Sequence, residues 1–396
     1  MSLNDSKAAW TRTPLIVSFA DNPKFTETYG FAGNSGAVNL EGQLLGVPNS
    51  RSKTVYIFMH PTSVLHLLPM PTALADAGLD VLCAASRYPR NDTALIFEKV
   101  AIDLGKWISY AREELGYEKV VLVGWSGGGS LSLFYQAQAE NPDITETPAG
   151  DPVDLIAANL PRADGVIFIA AHLSRAETLT EWLDPSVIDE LDPDNRDPEF
   201  DIYSPDCPHQ PPYSDEFVTR FREAQRARNR RITNWAQDEL ARLNAKDGPE
   251  RERAFVTHRT MCDVRWLDPQ IDPSERRPNW TYMGDPQTVN VGPVGLARYS
   301  TLRSWLSQWS YDLSNAKGPM NAAKIHETPV LQIENTADEA VPATHNPAIR
   351  DALATPDKEY LSLKGATHYY VGQPEHLKKC IDTVIDWSER KGLLQR

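Results

Sequence analysis

The sequence KVVLVGWSGG at residues 119–128 decides the fold. Its first half, 119–123, is a short apolar run of the kind found in buried strands. Its second half surrounds Ser126 with small residues, which a sharp turn requires because larger side chains would clash with the neighbouring strand and helix. Residues 131–139 then have the character of a helix. The stretch predicts a buried strand, a tight turn at Ser126 and a helix.

Other apolar runs of strand length lie on both sides of this stretch, at residues 53–59, 81–85, 166–171 and 329–333. Between them, apolar residues at helical spacing predict helices over 64–77 and 96–115. Strands that alternate with helices indicate an α/β fold, a doubly wound and mostly parallel sheet with right-handed crossovers. The alternating residues 36–46 predict a hairpin with the run at 53–59.

A long segment interrupts this alternation. Roughly 160 residues separate the last two apolar runs, which is too long for a loop inside a compact domain. The segment contains amphipathic stretches with helical spacing at 215–243 and 296–309. We interpret it as a mainly helical cap inserted between late strands of the core. The chain then divides into a first core part, a cap and a second core part, at residues 1–174, 175–320 and 321–396.

The composition is that of an ordinary globular protein. The chain has 40 basic and 54 acidic residues, and its net charge of −14 disfavours nucleic acid and anionic membranes as partners. Basic residues cluster at 220–231, where their spacing favours a solvated helix face over an anion site. There is no signal-peptide pattern and no run of about 18 apolar residues, so the expected compartment is the cytoplasm.

The sequence predicts neither a metal site nor an organic cofactor. The four cysteines are far apart and form no CxxC pair, and the histidines are scattered along the chain. The glycines at 124–129 lack the G-x-G-x-x-G phasing of nicotinamide and flavin sites.

Residues 124–128 match G-x-S-x-G, a motif in which the serine lies on a strand-to-helix turn and acts as a nucleophile. A serine hydroxyl is a weak nucleophile, so it needs a neighbouring base, and the base needs an orienting partner. Asp338 follows the strand at 329–333 and begins the sequence D-x-x-V-P. His368 follows a predicted strand at 359–363 and lies within G-x-x-H-Y.

These three motifs, in this order along the chain, resemble the α/β-hydrolase superfamily. The resemblance implies the α/β-hydrolase fold, with Ser126 as nucleophile, Asp338 as acid and His368 as base. Simpler interpretations remain, because aspartate often caps helices or forms turns and a histidine can be structural. Glu334 and Glu339 are carboxylates close to Asp338, but the superfamily order favours Asp338.

A second part of the machinery is the oxyanion hole, the set of N–H groups that stabilises the charged intermediate. His60-Pro61-Thr62 ends the strand at 53–59, where the superfamily usually has His-Gly. Pro61 has no N–H and cannot donate. The expected donors are the backbone N–H groups of Thr62 and Gly127. The alternative for this tripeptide is a simple strand-ending turn.

The resemblance implies a serine hydrolase that cleaves a carboxylic ester or lactone through an acyl-enzyme. The same machinery serves carbon–carbon bond hydrolases, amidases and acyltransferases, and a non-catalytic ligand-binding homologue would keep the fold. A cap over the serine would bury a bulky or apolar small molecule. The cap tryptophans either line this pocket or form the cap's own core. The predicted substrate contacts are His60, Trp125, Trp280, Trp305 and Trp309.

Overall fold

The computed structural model describes residues 9–21, 36–46, 48 and 52–394. The core strands are β1 (Thr11–Ala20), β2 (Ala37–Gly46), β3 (Thr54–Met59), β4 (Asp80–Ala84), β5 (Lys119–Ser126), β6 (Gly165–Ala171), β9 (Val330–Asn335) and β10 (Lys358–Leu363). They form one eight-stranded sheet in the order β1-β2-β4-β3-β5-β6-β9-β10. Every neighbouring pair from β4 to β10 is parallel, whereas β2 is antiparallel to both β1 and β4.

Helices cover both faces of this sheet. The helices of the core are α1 (Pro69–Asp76), α2 (Phe97–Glu113), α3 (Gly127–Glu140), α4 (Leu155–Ala158), α11 (His345–Ala352) and α12 (Pro374–Arg390). Along β5, Val120 and Leu122 pack into one apolar cluster with α2 and α3, while Val121 and Val123 pack into another with α1 and α12. Alternate residues of a strand point to opposite faces, and both faces of β5 are covered, so all four residues from 120 to 123 are apolar. The predicted doubly wound, mostly parallel sheet is confirmed.

The amino-terminal strands differ from the prediction. Residues 36–46 were expected to form a hairpin with residues 53–59, but β2 pairs with β1 and β4 instead. β3 lies between β4 and β5 and is fully buried. The hairpin prediction is wrong because a strand buried on both faces needs parallel neighbours and helices around it, whereas the partly exposed β2 suits the antiparallel margin of the sheet.

A helical insertion lies between β6 and β9. It contains α5 (Arg175–Trp182), α6 (Asp215–Ala245), β7 (Ala254–Val256), α7 (Val264–Leu267), α8 (Pro286–Val291), β8 (Tyr299–Thr301), α9 (Leu302–Ser304), which continues as a π-helical turn (Trp305–Trp309), and α10 (Gly318–Ala322). Leu179, Ile232 and Trp305 belong to an apolar cluster of the insertion's own. Ala316 and Ala322 already pack into the main core. The helical insertion is confirmed, and its division at residues 175 and 320 stays a prediction.

One face of α6 differs from its interpretation as solvated. Arg228 is fully buried, and its Nη2 donates to Glu190 Oε2 at 2.7 Å and to the carbonyl of His258 at 2.7 Å. This arginine therefore joins segments inside the insertion. Among the described residues, no helix has the length and apolarity needed to cross a bilayer.

Candidate active site

Ser126 lies on a strained turn between β5 and α3. Its backbone has φ 55° and ψ −127°, a combination that side-chain-bearing residues rarely adopt. A Cβ on Gly128 would come within 2.6 Å of the carbonyl oxygen of Met59, and one on Gly129 within 2.4 Å of Ala171 Cβ. Only glycine fits at these two positions, because the turn passes directly between β3 and β6.

His368 joins Ser126 to Asp338 by hydrogen bonds. His368 Nε2 lies 3.1 Å from Ser126 Oγ, and His368 Nδ1 lies 2.8 Å from Asp338 Oδ2. Each of the three residues lies at or just after the carboxyl end of a parallel strand, namely β5, β9 and β10. Those ends meet at one edge of the sheet, which brings together residues up to 242 positions apart. The structure therefore places the predicted nucleophile, base and acid in contact.

The Asp338 carboxylate is held on both oxygens. Oδ1 accepts the backbone N–H groups of Ala340 at 2.7 Å and Val341 at 2.8 Å, which leaves Oδ2 for His368. Asp338 is thus a turn residue and the partner of the histidine at once. Glu334 instead accepts hydrogen bonds from Tyr360 and Asn346.

Trp125 holds His368 in position through a ring contact and a hydrogen bond. Its ring centroid lies 4.6 Å from that of His368, and its Nε1 donates to the carbonyl of His368 at 3.3 Å. Because Asp338 Oδ2 accepts from Nδ1, the proton of a neutral His368 is on Nδ1, and Nε2 is free to take the proton of Ser126. The site is therefore preorganised for a proton transfer from the serine hydroxyl.

The two predicted oxyanion donors differ in the structure. Gly127 is the first residue of α3 and lines the same cavity as Ser126. A backbone N–H at this helix position has no partner within the helix. Thr62 also lines the cavity, but its N–H donates to His60 Nδ1 at 3.2 Å. Thr62 as an oxyanion donor stays a prediction, and it requires that this bond be shared or broken.

The cavity at Ser126 has a volume of about 170 Å³ and is bounded by the core and the insertion. The insertion contributes Arg175, Thr178, Trp182, Tyr282 and Leu296. Drug-sized pockets usually span about 300–1,000 Å³, so this cavity is small. Its lining combines polar groups, such as Arg175 and Thr178, with the aromatic rings of Trp125 and Trp182.

Three predicted cap tryptophans are not part of the cavity wall. Trp305 and Trp309 are fully buried in the apolar cluster of the insertion, and Trp280 packs under the guanidinium of Arg277 at 4.0 Å. Their prediction as substrate contacts is wrong: Trp305 and Trp309 form part of the insertion's own core, and Trp280 packs against Arg277 outside the cavity wall. Trp182, from the first helix of the insertion, takes that place. Trp125 and His60 do line the cavity.

Arg175 is a cavity residue that the sequence analysis missed. Only 6% of it is exposed, Nη2 donates to Asp92 Oδ2 at 2.5 Å, and the guanidinium lies 4.2 Å above the Trp309 ring. Its buried Nε has no hydrogen-bond partner among the described residues. Burial lowers the pKa of Arg175, opposed by the Asp92 carboxylate. A buried guanidinium with spare donors can bind an oxygen acceptor on a ligand.

Three buried histidines lie at or behind the cavity wall. His60 and His172 line it, and His345 lies behind His172 with ring centroids 5.6 Å apart. Burial lowers the pKa of His60 to about 3 and of His345 to about 4, and it lowers the pKa of His172 as well. All three are therefore neutral near pH 7. The described residues include no group of three or more His, Cys, Asp or Glu arranged to hold a metal ion.

Comparison with protein-family models and with curated protein sequences gives no match. Among solved structures, the chain is similar to the α/β hydrolase GrgF from Penicillium sp. sh18, with 12% identity, a TM-score of 0.50 and coverage of 96% of this chain and 99% of that one. DcsB in complex with its substrate analogue has 13% identity, a TM-score of 0.49 and the same coverage of both chains. Est1E from Butyrivibrio proteoclasticus has 13% identity and a TM-score of 0.45, covering 90% of this chain and 96% of that one. The likeness to GrgF shows the fold.

Proposed function

Because the chain has the α/β-hydrolase fold, we propose that it is a serine hydrolase that cleaves a carboxylic ester or lactone of a small molecule through an acyl-enzyme. One observation carries this proposal. Ser126, His368 and Asp338 form a hydrogen-bonded series with distances of 3.1 and 2.8 Å, and Ser126 opens on a cavity. Nucleophile, base and orienting acid in this order are the elements of acyl transfer by serine.

The geometry supports a two-step reaction. His368 Nε2 takes the proton of Ser126 Oγ as the oxygen attacks the carbonyl carbon, and Asp338 stabilises the resulting imidazolium. His368 then gives this proton to the departing alcohol oxygen, which leaves an acyl-serine. A water molecule, deprotonated by His368, releases the acid and restores Ser126. The Gly127 N–H stabilises the oxyanion in both steps.

The cavity supports a compact substrate with a polar acyl group. Its volume of about 170 Å³ leaves little room for a long hydrocarbon chain. Arg175 has hydrogen-bond donors beyond the one that binds Asp92. A carboxylate or carbonyl oxygen on the acyl group would accept from them. The bulky or apolar substrate expected from the sequence stays a prediction, and it is the alternative to this compact, polar one.

The test is hydrolysis of a panel of short 4-nitrophenyl esters by the wild-type protein and by Ser126→Ala. We expect release of nitrophenol with the free acid as the second product, and loss of turnover in Ser126→Ala with unchanged melting temperature. Further assays separate the alternatives. Cleavage of an amide but not an ester would point to an amidase, and cleavage of a carbon–carbon bond beside a ketone would point to a carbon–carbon bond hydrolase. Transfer of the acyl group to an added alcohol would point to an acyltransferase. Equal turnover by wild type and Ser126→Ala would contradict the proposal.

A further inference from the structure

The tautomer of His60 is fixed by the backbone. His60 follows β3 directly, and its Nδ1 accepts the N–H groups of Thr62 at 3.2 Å and Ser63 at 2.9 Å. A ring nitrogen that accepts hydrogen bonds carries a lone pair, so the proton of the neutral ring is on Nε2. Burial, with the positive charge of Arg175, lowers the pKa of His60 to about 3. His60 is therefore a neutral Nε2–H donor at working pH.

Nε2 of His60 lies beside the residue that follows the nucleophile. A Cβ on Gly127 would come within 2.5 Å of this nitrogen, so the two groups are in contact. His60, Ser126 and Gly127 all line the same cavity. Within the part of the chain that the structure describes, no hydrogen-bond acceptor meets Nε2–H. His60 Nε2–H lies at the amino-terminal end of α3, where the Gly127 N–H also lacks a partner within the helix. The two N–H groups are placed to bind an anionic oxygen.

The backbone of the same loop is less suited to that task. Pro61 has no N–H, and the N–H groups of Thr62 and Ser63 both donate to His60 Nδ1. The loop therefore offers a side-chain donor and no backbone donor. His60 Nδ1 accepts the two amide N–H groups, and Nε2–H lies on the opposite side of the ring.

We propose that the oxyanion hole is formed by His60 Nε2–H together with Gly127 N–H, in place of the Thr62 amide. The inference rests on the proposed function of Ser126. His60 neither gains nor loses a proton in the reaction. Its Nε2–H donates to the carbonyl oxygen as that oxygen becomes negatively charged in the tetrahedral intermediate, and it releases the oxygen when the carbonyl re-forms.

Two substitutions separate donation from support of the loop. In His60→Asn, the amide oxygen stands as many bonds from Cα as Nδ1 and can accept the Thr62 and Ser63 amides, but Nε2–H is lost. In His60→Gln, the amide nitrogen matches the position of Nε2 and keeps a donor, but the Nδ1 acceptor is lost. We expect His60→Asn to lower kcat about 100- to 1,000-fold with little change in KM, as removal of one oxyanion donor does. His60→Gln should retain more activity than His60→Asn.

A trifluoromethyl ketone supplies the second readout, since its adduct with Ser126 has a tetrahedral oxyanion. His60→Asn should lose affinity for this inhibitor by the same factor as kcat/KM, at a melting temperature close to that of wild type. Wild-type kcat and inhibitor affinity in His60→Asn would overturn the inference, as would an active His60→Asn beside an inactive His60→Gln, which would mark His60 as a support for the loop.

The proposed function fails separately from this inference. If ester turnover is independent of Ser126, both are contradicted. If turnover depends on Ser126 and His60→Asn turns over at the wild-type rate, only the role of His60 is contradicted.

Discussion

At the cavity, the buried side chains of Asp338 and His368 in the core are bonded more completely than that of Arg175 in the insertion. In the core, Asp338 is bonded on both oxygens and His368 on both ring nitrogens. In the insertion, Arg175 is equally buried but keeps an Nε without a partner among the described residues. A saturated network fixes one geometry, whereas an unsaturated donor costs stability unless a ligand completes it. This difference agrees with the proposed function if the core carries the chemistry and the insertion selects the substrate.

The core and the insertion also place their cavity side chains on different kinds of secondary structure. Ser126, Asp338 and His368 lie at the ends of strands, whose positions are set by the hydrogen-bonded sheet. Arg175 and Trp182 lie on the short helix α5, which is positioned by side-chain packing against Trp266 and Trp309. Strand ends can thus stay constant while a helix of the insertion changes, which is how one fold serves many substrates.

The largest expected effect is on the acid of the core. Asp338→Asn should lower kcat about 10⁴-fold, because the amide no longer selects the tautomer that accepts the serine proton. The fold should remain, since the Asn oxygen can still accept the Ala340 and Val341 amides. Steady-state kinetics beside a melting curve give both quantities.

The matched controls for this prediction are Glu334→Gln and Glu339→Gln. Both carboxylates lie close to Asp338 in sequence, but no hydrogen bond from either to His368 occurs among the described residues. If Asp338→Asn stays active while one of the controls fails, the acid is assigned to the wrong residue.

A smaller, selective effect is expected at Arg175. Arg175→Gln should lower kcat/KM about 10- to 100-fold for a 4-nitrophenyl ester whose acyl chain ends in a carboxylate, because a charged hydrogen bond is lost. The matched substrate ends in a primary amide and should change much less. Arg175→Lys, which keeps the charge, should fall between wild type and Arg175→Gln. An equal loss for both esters would mean that Arg175 only supports the fold.

Substitution of two tryptophans distinguishes a residue of the cavity wall from a residue of the insertion's own core. Trp182 lines the cavity, whereas Trp305 is fully buried in the insertion's apolar cluster. Trp305→Ala should destabilise the protein by about 3–5 kcal/mol and leave the ratio of kcat/KM for short and long acyl esters unchanged. Trp182→Ala should shift that ratio several-fold toward the longer ester. A ratio that shifts in Trp305→Ala alone would reverse the assignment.

The smallest effect is a pH dependence of stability. In the folded protein, His60 and His345 have pKa values of about 3 and 4, below the usual value of about 6.5. At a pH between the folded and the usual pKa, the unfolded chain therefore binds more protons than the folded protein. Acidification from about pH 6.5 toward pH 4 should therefore lower the free energy of unfolding, by roughly 1 kcal/mol per pH unit for each such histidine. Urea unfolding at several pH values measures the slope.

A matched pair of variants tests the share of this slope that comes from His345. His345→Gln should flatten it, whereas substitution of the exposed His326 by Gln should leave it unchanged. An unchanged slope in His345→Gln would contradict a lowered pKa of this ring in the folded protein.

The sequence predicts the core better than the insertion for a physical reason. The strand before Ser126, the glycines after it and the residues after β9 and β10 are local patterns, and the parallel sheet brings strand ends to one edge. β1 was not predicted. It is a mostly exposed strand with Pro14 inside it, a pattern that suits the edge of a sheet.

The wall of the cavity depends on packing between distant segments, which no local pattern encodes. The tryptophans looked alike in sequence, yet Trp182 lines the cavity and Trp305 does not. One signal for Arg175 was present. Ser174 and Glu177 form the S-x-x-E pattern of a helix start directly after β6, and Ser174 Oγ accepts the Glu177 N–H at 3.3 Å. The first residue of that helix had to lie at the edge of the sheet that holds Ser126.

The central claim, that Ser126 is the nucleophile of the core, is tested most directly by covalent labelling. The folded protein is treated with a fluorophosphonate, digested and mapped by mass spectrometry, beside Ser126→Ala as the control. We expect one adduct, on Ser126, and none in the variant, because this hydroxyl lies 3.1 Å from Nε2 of an imidazole whose Nδ1 is held by Asp338. An adduct on another residue, or labelling that persists in Ser126→Ala, would contradict the account.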